Sequence, residues 1–178
     1  MWTGTKQELA DMCRQMAASM LDFKVPNVDM AQLMWALAGN ESSFGVNLTP
    51  RHEPAYDVGG VYGQGLVMGP LLAKWGSRAA CSYGPWQLMF CNAPRDASPF
   101  DFDSLLQCAQ MTAAFMNELD NRHCISTIAE MGECWNGGHV WMQPQIVPPA
   151  VAAYVQRLTA NYQVPILAAG AGATNGQA

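Results

Sequence analysis

Apolar side chains recur at helical spacing in five stretches of the chain, and this pattern predicts a mainly helical protein. The clearest of these stretches is 29–44. One of its faces carries four large apolar side chains: Met30, Leu33, Met34 and Leu37. The next residue on that face is Glu41, so the apolar stripe ends in a carboxylate.

Two interpretations of Glu41 follow from its place on the stripe. It is either an ordinary Glu near a helix C-terminus, with Gly45 as the stop, or a partly buried acid at the rim of a cavity. Burial disfavours the charged form and raises the pKa of a carboxyl, and a general acid that works near neutral pH needs such a pKa. Glu41 is therefore the first catalytic candidate, and this stretch alone leaves both interpretations open.

Four further helices are predicted from the same periodicity. They cover 5–22, 101–119, 126–135 and a last helix that begins after Pro148-Pro149. The last helix places Tyr154 on the stripe that faces the core, where its hydroxyl needs a partner such as a carboxylate.

Cap signals mark the helix starts. Thr5 and Thr127 each precede a Glu by three residues, which is the spacing of a capping box. Asn27 is the expected N-cap of the second helix, and Asp101 or Asp103 is expected to cap the third.

Periodicity is lost in the segment 46–81, which is rich in Gly and Pro. We expect a long loop with a short β-hairpin here, inserted into the helical domain. A long irregular segment inside a compact domain is usually functional. Gly and Ala dominate the end of the chain, so 1–165 is predicted to form one domain and 166–178 a flexible tail.

Composition narrows the function classes. Hydrophobic residues make up 50% of the 178 residues and charged residues 13%, which is typical of a single globular domain. The net charge is −5 and no cluster of Lys or Arg occurs, which argues against nucleic acid as a partner. No apolar run approaches the ~20 residues of a transmembrane helix. The charged residues near the N-terminus do not fit a signal peptide.

Cysteine and histidine spacing gives no sign of a metal or cofactor. The six Cys residues do not form zinc-ribbon or CxxC spacings. Their even number allows disulfides, so we expect some bridging, with buried free thiols as the alternative. His52, His123 and His139 have no ligand spacing, and no HExxH motif occurs.

Two polar residues interrupt otherwise apolar or turn-forming runs. Gln87 lies within the run CSYGPWQLMF at 81–90, and a buried amide there either faces a polar cavity or bonds to nearby backbone. Asn136 lies in Trp135-Asn136-Gly137-Gly138, which closes the helix 126–135, so it has a plain interpretation as a C-terminal turn residue.

Four short motifs follow one another along the chain: Glu41-Ser42-Ser43-Phe44, Gly84-Pro85-Trp86-Gln87-Leu88-Met89, Trp135-Asn136-Gly137-Gly138 and Tyr154-Val155. In this order they resemble the soluble lytic transglycosylase domain, a family related to goose-type lysozymes. The resemblance covers about residues 28–162, and the helix 101–119 fits the family's long helix between the second and third motifs. It implies a lysozyme-like fold, mainly α with some β, and a cleft that binds glycan strands of peptidoglycan.

The resemblance also implies roles for individual residues. Glu41 is expected to be the catalytic acid and base, held by the hydroxyl of Tyr154. Gln87 is expected to bond the acetamido group of a sugar. The other side chains expected to contact substrate are Ser42, Met89, Trp135 and Asn136.

The chain departs from the family pattern in three places. Trp135 stands where a Tyr usually precedes the Asn, so a hydroxyl is lost, although an indole N–H could donate in its place. Pro85-Trp86 replaces a small aliphatic pair. The segment 46–81 is longer than in typical members, and its Arg51-His52-Glu53-Pro54-Ala55-Tyr56 resembles a sequence in some phage-associated cell-wall lysins.

The resemblance predicts a lytic transglycosylase that breaks the β-1,4 bond between MurNAc and GlcNAc and leaves 1,6-anhydro-MurNAc ends. It would act at the bacterial cell wall, in the periplasm, outside the cell or delivered by a phage. An inverting muramidase is the alternative, and it needs a second carboxylate at ~6.5–9.5 Å. Glu53 and Asp57 are candidates, with Glu133 less favoured, although loop acids are commonly just solvated. A non-catalytic glycan-binding or structural virion module is the third possibility.

Overall fold

The computed structural model describes residues 2–137 and 147–169, and most of these residues lie in helices. The predicted mainly helical class is confirmed. The described part contains six α-helices: α1 (Lys6–Ser19), α2 (Met30–Ser42), α3 (Met68–Trp75), α4 (Leu105–His123), α5 (Ile128–Gly137) and α6 (Pro149–Tyr162). The predicted residues Gly138 and His139 lie outside the described residues.

Helix α2 is the centre of the core. It packs against α1 on one side and α6 on another. The four predicted stripe residues are buried, and so are residues on its other faces, including Trp35, Ala36 and Ala38. A helix that is apolar nearly all round belongs inside the protein. Its C-terminal end carries Glu41.

The cap of α2 differs from the prediction. Asp29, not Asn27, is the N-cap, and its Oδ1 accepts the N–H groups of Ala31 at 2.9 Å and Gln32 at 3.2 Å. Asn27 lies in the preceding turn with φ 58°, a left-handed conformation that Asn tolerates better than most residues. The prediction failed because both residues are good caps and only the path of the chain selects between them.

Helix α4 also begins later than predicted. Ser104 is its N-cap, and its hydroxyl accepts the N–H of Gln107. Asp101 and Asp103, the predicted caps, belong instead to a short 3₁₀ turn, Asp101–Asp103, that leads into the helix.

The two capping boxes are confirmed. The Thr5 hydroxyl accepts the N–H of Glu8, whose carboxylate accepts the N–H of Thr5. Thr127 and Glu130 make the same reciprocal pair at the start of α5. These motifs depend only on residues three apart, so local sequence is enough to predict them.

The segment 46–81 is more ordered than predicted. It contains α3, which the sequence pattern missed because Gly69 and Pro70 lie in its first turn, where Pro is tolerated. It also contributes strand β1 (Arg51–His52) to an antiparallel sheet of order β1-β2-β3.

The hairpin of this sheet is not where it was expected. It joins β2 (Cys81–Tyr83) to β3 (Leu88–Met89), mostly beyond residue 81. Strand β1 pairs with β2 over a long sequence separation, with Arg51 opposite Ser82. Such long-range pairing leaves no local signal, so the position of the hairpin was predicted wrongly.

The turn 84–87 between β2 and β3 is anchored to α2. The indole N–H of Trp86, which is fully buried, donates to the carbonyl of Met34 at 2.9 Å. The hydroxyl of Ser42 lies 2.6 Å from the carbonyl of Pro85. These contacts place the side chain of Gln87 close to the C-terminal end of α2.

A glycine is required at the start of this turn. Gly84 has φ 72°, and a Cβ there would lie 2.3 Å from the sulfur of Cys108. The positive φ and the lack of space for a Cβ beside Cys108 of α4 both require glycine at position 84.

All six cysteines are free thiols, so the expected bridging is wrong. Cys13, Cys108 and Cys134 are buried and pack in the core as small apolar side chains. Burial raises the pKa of the Cys91 and Cys134 thiols to about 11, which keeps them protonated and unreactive.

The chain remains attached to the helices beyond the predicted domain boundary at residue 165. The N–H of Ile166 donates to the side chain of Gln32 at 2.9 Å, and the amide of Gln7 donates to the carbonyl of Ala168 at 2.8 Å. The predicted boundary of the tail at residue 166 stays a prediction, and the part of the tail from 170 onward lies outside the described residues. No helix in the described ranges has the length and apolarity to cross a membrane.

Candidate active site

A cavity of about 840 Å³ opens at the C-terminal end of α2. Helices α4 and α5, the β2–β3 hairpin and the segment after β1 form its other walls. Six of the residues predicted from the sequence line it: Glu41, Glu53, Gln87, Met89, Trp135 and Asn136. The fold therefore brings together residues that are up to 95 positions apart in the chain, from Glu41 to Asn136.

Glu41 is held from the helical side of the cavity. Its side chain is only 5% exposed. The hydroxyl of Tyr154 donates to Oε1 at 2.7 Å, and the indole N–H of Trp135 donates to the same oxygen at 3.0 Å. The expected hydrogen bond from Tyr154 to Glu41 is present, and the indole of Trp135 is a second donor to the same carboxyl.

Arg51 approaches the other carboxylate oxygen. Its Nη1 lies 3.6 Å from Glu41 Oε2, and its Nε donates to Oε1 of Glu53 at 2.6 Å. One guanidinium therefore contacts both acids that line the cavity. The Arg51 side chain is 55% exposed, so solvent screens this part of the network.

The pKa of Glu41 is raised above its ordinary value. Burial is the largest cause, and the negative charge of Glu53 adds to it. The hydrogen bond from Tyr154, the charge of Arg51 and the hydrogen bond from Trp135 act in the opposite direction without cancelling it. The raised pKa predicted from the apolar stripe is confirmed.

Tyr154 remains a donor in this network. Burial and the neighbouring carboxylate raise its pKa well above the ordinary value for a phenol. It lies behind Glu41 rather than in the cavity wall, with a side chain that is 3% exposed. Its hydroxyl therefore positions the acid and keeps its own proton.

Gln87 is bonded to its own hairpin and also lines the cavity. Its amide N–H donates to the carbonyl of Gly84, and its Oε1 accepts the hydroxyl of Ser82, both at 3.0 Å. The carbonyl of Gly84 therefore satisfies one N–H of the buried amide, in agreement with the expectation that Gln87 bonds to nearby backbone. An amide has two N–H groups and two acceptor positions, so one of each remains for a ligand.

Ser42 does not reach the cavity. It is 1% exposed, and its hydroxyl lies within hydrogen-bond distance of the carbonyls of Ala38 and Pro85 and accepts the N–H of Gly45. Ser42 therefore connects α2 to the hairpin turn and does not make the expected contact with substrate.

Asp57 and Glu133 also lie outside the cavity wall. The Asp57 carboxyl accepts the N–H of Val58 and bonds His52 at 2.6 Å, and these two contacts, in that order of importance, lower its pKa. Of the acids considered as a second carboxylate, only Glu53 is placed near Glu41.

Sequence reasoning missed several cavity residues. Arg51 is the most important of them. Its spacing of two residues from Glu53 could have indicated it, because residues two apart on an extended chain face the same side. The others include three aromatic and two basic residues: Tyr56, Tyr62, Phe115, Arg122 and His123. The ring of Phe115 contacts that of Trp135 edge-on, with centroids 5.5 Å apart, and supports its orientation.

Among residues 2–137 and 147–169, no group of three or more His, Cys, Asp or Glu side chains could hold a metal ion. No family model, curated protein or solved structure matches this chain.

Proposed function

We propose that this protein is a peptidoglycan lytic transglycosylase that cleaves the β-1,4 bond between MurNAc and GlcNAc. One observation carries the proposal. A single carboxyl with a raised pKa, that of Glu41, is buried in the wall of a cavity of about 840 Å³ and is positioned by two donors on helices α5 and α6. Transglycosylation needs only one such group, first as an acid and then as a base.

The two hydrogen bonds determine which oxygen carries the proton. Oε1 of Glu41 already accepts from Tyr154 and Trp135, so it acts as the carbonyl-like oxygen of the neutral acid. The proton then belongs on Oε2, the oxygen on the side of Arg51 and the cavity. A glycosidic oxygen bound in the cavity would receive it from there.

The reaction has two proton transfers and consumes no water. Glu41 gives its proton to the glycosidic oxygen as the bond from that oxygen to C1 of MurNAc breaks. The resulting carboxylate takes the proton of the C6 hydroxyl of the same sugar, and that oxygen bonds to C1. The products are a GlcNAc hydroxyl and a 1,6-anhydro-MurNAc end, and Glu41 is neutral again. Holding the C6 hydroxyl near C1 supplies the proximity that this step needs.

Other cavity residues fit the binding of an amino sugar. Gln87 has one N–H and one acceptor position left for an acetamido group, and the exposed amide of Asn136 lies beside Trp135. Met89 and the aromatic rings in the wall offer apolar surface for a sugar face. Peptidoglycan strands are accordingly the proposed partner and the bacterial cell wall the proposed place of action.

Hydrolysis by an inverting muramidase is the second candidate, and Glu53 favours it. This acid lines the same cavity, where it could activate a water molecule. Its carboxylate, however, is bonded to Arg51 at 2.6 Å, and a charge-assisted bond of this kind makes it a weaker base. We therefore rank the single-acid mechanism first.

A glycan-binding module without catalysis is less compatible with the geometry. Binding alone gives no reason to bury a carboxyl, because the burial of an ionisable group costs stability. Glu41 is buried and receives two donors on one oxygen, an arrangement that suits proton transfer.

Product analysis tests this proposal. We expect mass spectrometry of fragments released from purified peptidoglycan to show 1,6-anhydro ends. The Glu41→Gln variant should keep its fold and lose activity by about 10²-fold to 10⁴-fold, the usual contribution of a general acid. Reducing ends would identify a hydrolase, and full activity of Glu41→Gln would remove Glu41 from its role.

A further inference from the structure

A second cavity adjoins the first. We call it the side chamber, and its volume is about 790 Å³. Five residues line both spaces: Tyr56, Tyr62, Asn92, Phe115 and Arg122. The rings of Tyr56 and Tyr62 pack against each other with centroids 4.9 Å apart and form part of the shared wall. The side chamber is therefore the immediate neighbour of the cavity that holds Glu41.

The side chamber differs chemically from the main cavity. Four aliphatic side chains of the segment after Tyr56 line only the side chamber: Val61, Leu66, Val67 and Met68. Val61 is 86% exposed, Val67 60% and Leu66 99%. Large apolar side chains that are this exposed and grouped around a cavity mark a binding surface. A sugar chain would find few hydrogen-bonding groups there.

Charged groups in the side chamber favour an anionic ligand. Glu118 and Arg122 form an ion pair within α4 and largely neutralise each other. Arg95 also lines the chamber, is exposed and forms no ion pair with a described residue. The chamber thus combines aliphatic surface with one cation that is available to a carboxylate.

We propose that the side chamber binds the peptide stem of the same peptidoglycan strand, with Arg95 contacting a stem carboxylate and Leu66 covering its aliphatic side chains. A stem peptide consists of small apolar residues, an aliphatic diamino acid and free carboxylates, and it branches from the muramic sugar that the main cavity would hold. This inference rests on the proposed function and assigns a role to the long segment 46–81.

Binding to the catalytically blocked Glu41→Gln protein tests the inference without turnover. The probes are the disaccharide GlcNAc-MurNAc that carries its peptide, the same disaccharide after an amidase has removed the peptide, and the free peptide. We expect calorimetry to show about tenfold tighter binding of the peptide-bearing disaccharide than of the bare one. With Arg95→Glu or Leu66→Ser added, the peptide-bearing probe should bind no more tightly than the bare disaccharide.

Matched controls come from elsewhere on the surface. Lys24→Glu makes a similar charge reversal at an exposed residue that lines neither cavity, and Val46→Ser removes a large apolar side chain that is 71% exposed. Both should retain the preference for the peptide-bearing probe. All four substitutions are on the surface, and circular dichroism verifies their folding.

Separate outcomes address the chamber and the reaction. Equal affinity for the two disaccharides, or the same preference in Arg95→Glu, overturns the assignment of the side chamber. Binding of the free peptide that is lost in Arg95→Glu supports the chamber even if the wild-type protein cleaves no glycan, which would overturn only the proposed function. A dimer in sedimentation that dissociates on Leu66→Ser would show that a second copy covers this surface, and would also overturn the inference.

Discussion

The helical wall of the main cavity and the strand wall, formed by β1 and the residues that follow it, hold their charged groups in different ways. On the helical side, Tyr154 and Trp135 donate to one oxygen of a carboxyl that is 5% exposed. On the other side, Arg51 is 55% exposed and reaches Glu41 at only 3.6 Å. The two donors on the helical side fix the position of the Glu41 carboxyl, whereas Arg51 on the strand side lowers its pKa.

The physical basis of this difference is the length and burial of the supporting elements. Glu41, Trp135 and Tyr154 lie on helices that pack against each other, α2 against α6 and α5 against α6. Arg51 lies on a strand of two residues at the edge of the sheet. Substitutions on the helical side should therefore change stability and rate together, whereas those on the strand side should mainly move the pH dependence.

Among the residues that surround Glu41, the largest effect is expected from Tyr154→Phe. Loss of the hydroxyl leaves Oε1 of Glu41 with one donor, so the free energy of unfolding should fall by about 1–3 kcal/mol. The acid also loses its orientation, and kcat should fall by up to about 10²-fold. Chemical denaturation and turnover of purified peptidoglycan measure the two changes.

Tyr162→Phe is the matched control for that substitution. Tyr162 lies on the same helix, and its hydroxyl accepts the N–H of Asp29 at 2.9 Å, away from the cavity. We expect a loss of stability with little change in kcat. Equal losses of kcat in both variants would mean that the hydroxyl of Tyr154 acts only through stability.

A shift in pH dependence is expected from Arg51→Gln. The guanidinium favours the carboxylate form of Glu41 and so lowers its pKa, and its removal should raise that pKa further. Activity that needs a protonated Glu41 is lost as pH rises through this pKa. The basic limb of kcat/KM should therefore move to higher pH in Arg51→Gln.

Arg14→Gln serves as the control for this shift, because Arg14 pairs with Asp11 on α1 and lines neither cavity. Its pH profile should match that of the wild-type protein. A basic limb in Arg51→Gln that stays in place or moves to lower pH would contradict the contact between Arg51 and the catalytic acid.

The smallest effect is expected from Glu53→Gln. The charge of Glu53 raises the pKa of Glu41, so its removal should move the basic limb to lower pH, opposite to Arg51→Gln. For a transglycosylase the maximal rate should change only a few-fold. A loss on the order of 10²-fold or more would instead make Glu53 the general base of a hydrolase.

Local patterns were sufficient for much of the helical wall. The buried stripe of α2, the two capping boxes and the core-facing side of α6 all depend on residues within one or two turns. Glu41 and Tyr154 could be selected on these grounds together with the order of the four motifs. The sequence pattern failed where local signals compete, as at the caps of α2 and α4.

The strand wall could not be predicted in the same way. Strand β1 pairs with β2, although α3 lies between them in the sequence. Helix α3 was not predicted because Gly69 and Pro70 interrupt the helical pattern in its first turn. The sequence predicts an irregular segment here and offers Glu53 as a candidate acid. It does not point to Arg51, because the position of Arg51 between two carboxylates exists only in the folded chain.

By itself, the sequence determined that the protein is mainly helical, that Glu41 ends an apolar stripe and that an amide, an indole and a phenol are available to accompany it. Periodicity and short spacings carry this information because they reflect contacts within a single helix or turn. The tertiary structure decided that Tyr154 and Trp135 share one oxygen of Glu41, that Ser42 faces the core and that Arg51 links two acids. Those contacts join elements far apart in the chain, and only packing brings them within hydrogen-bond distance.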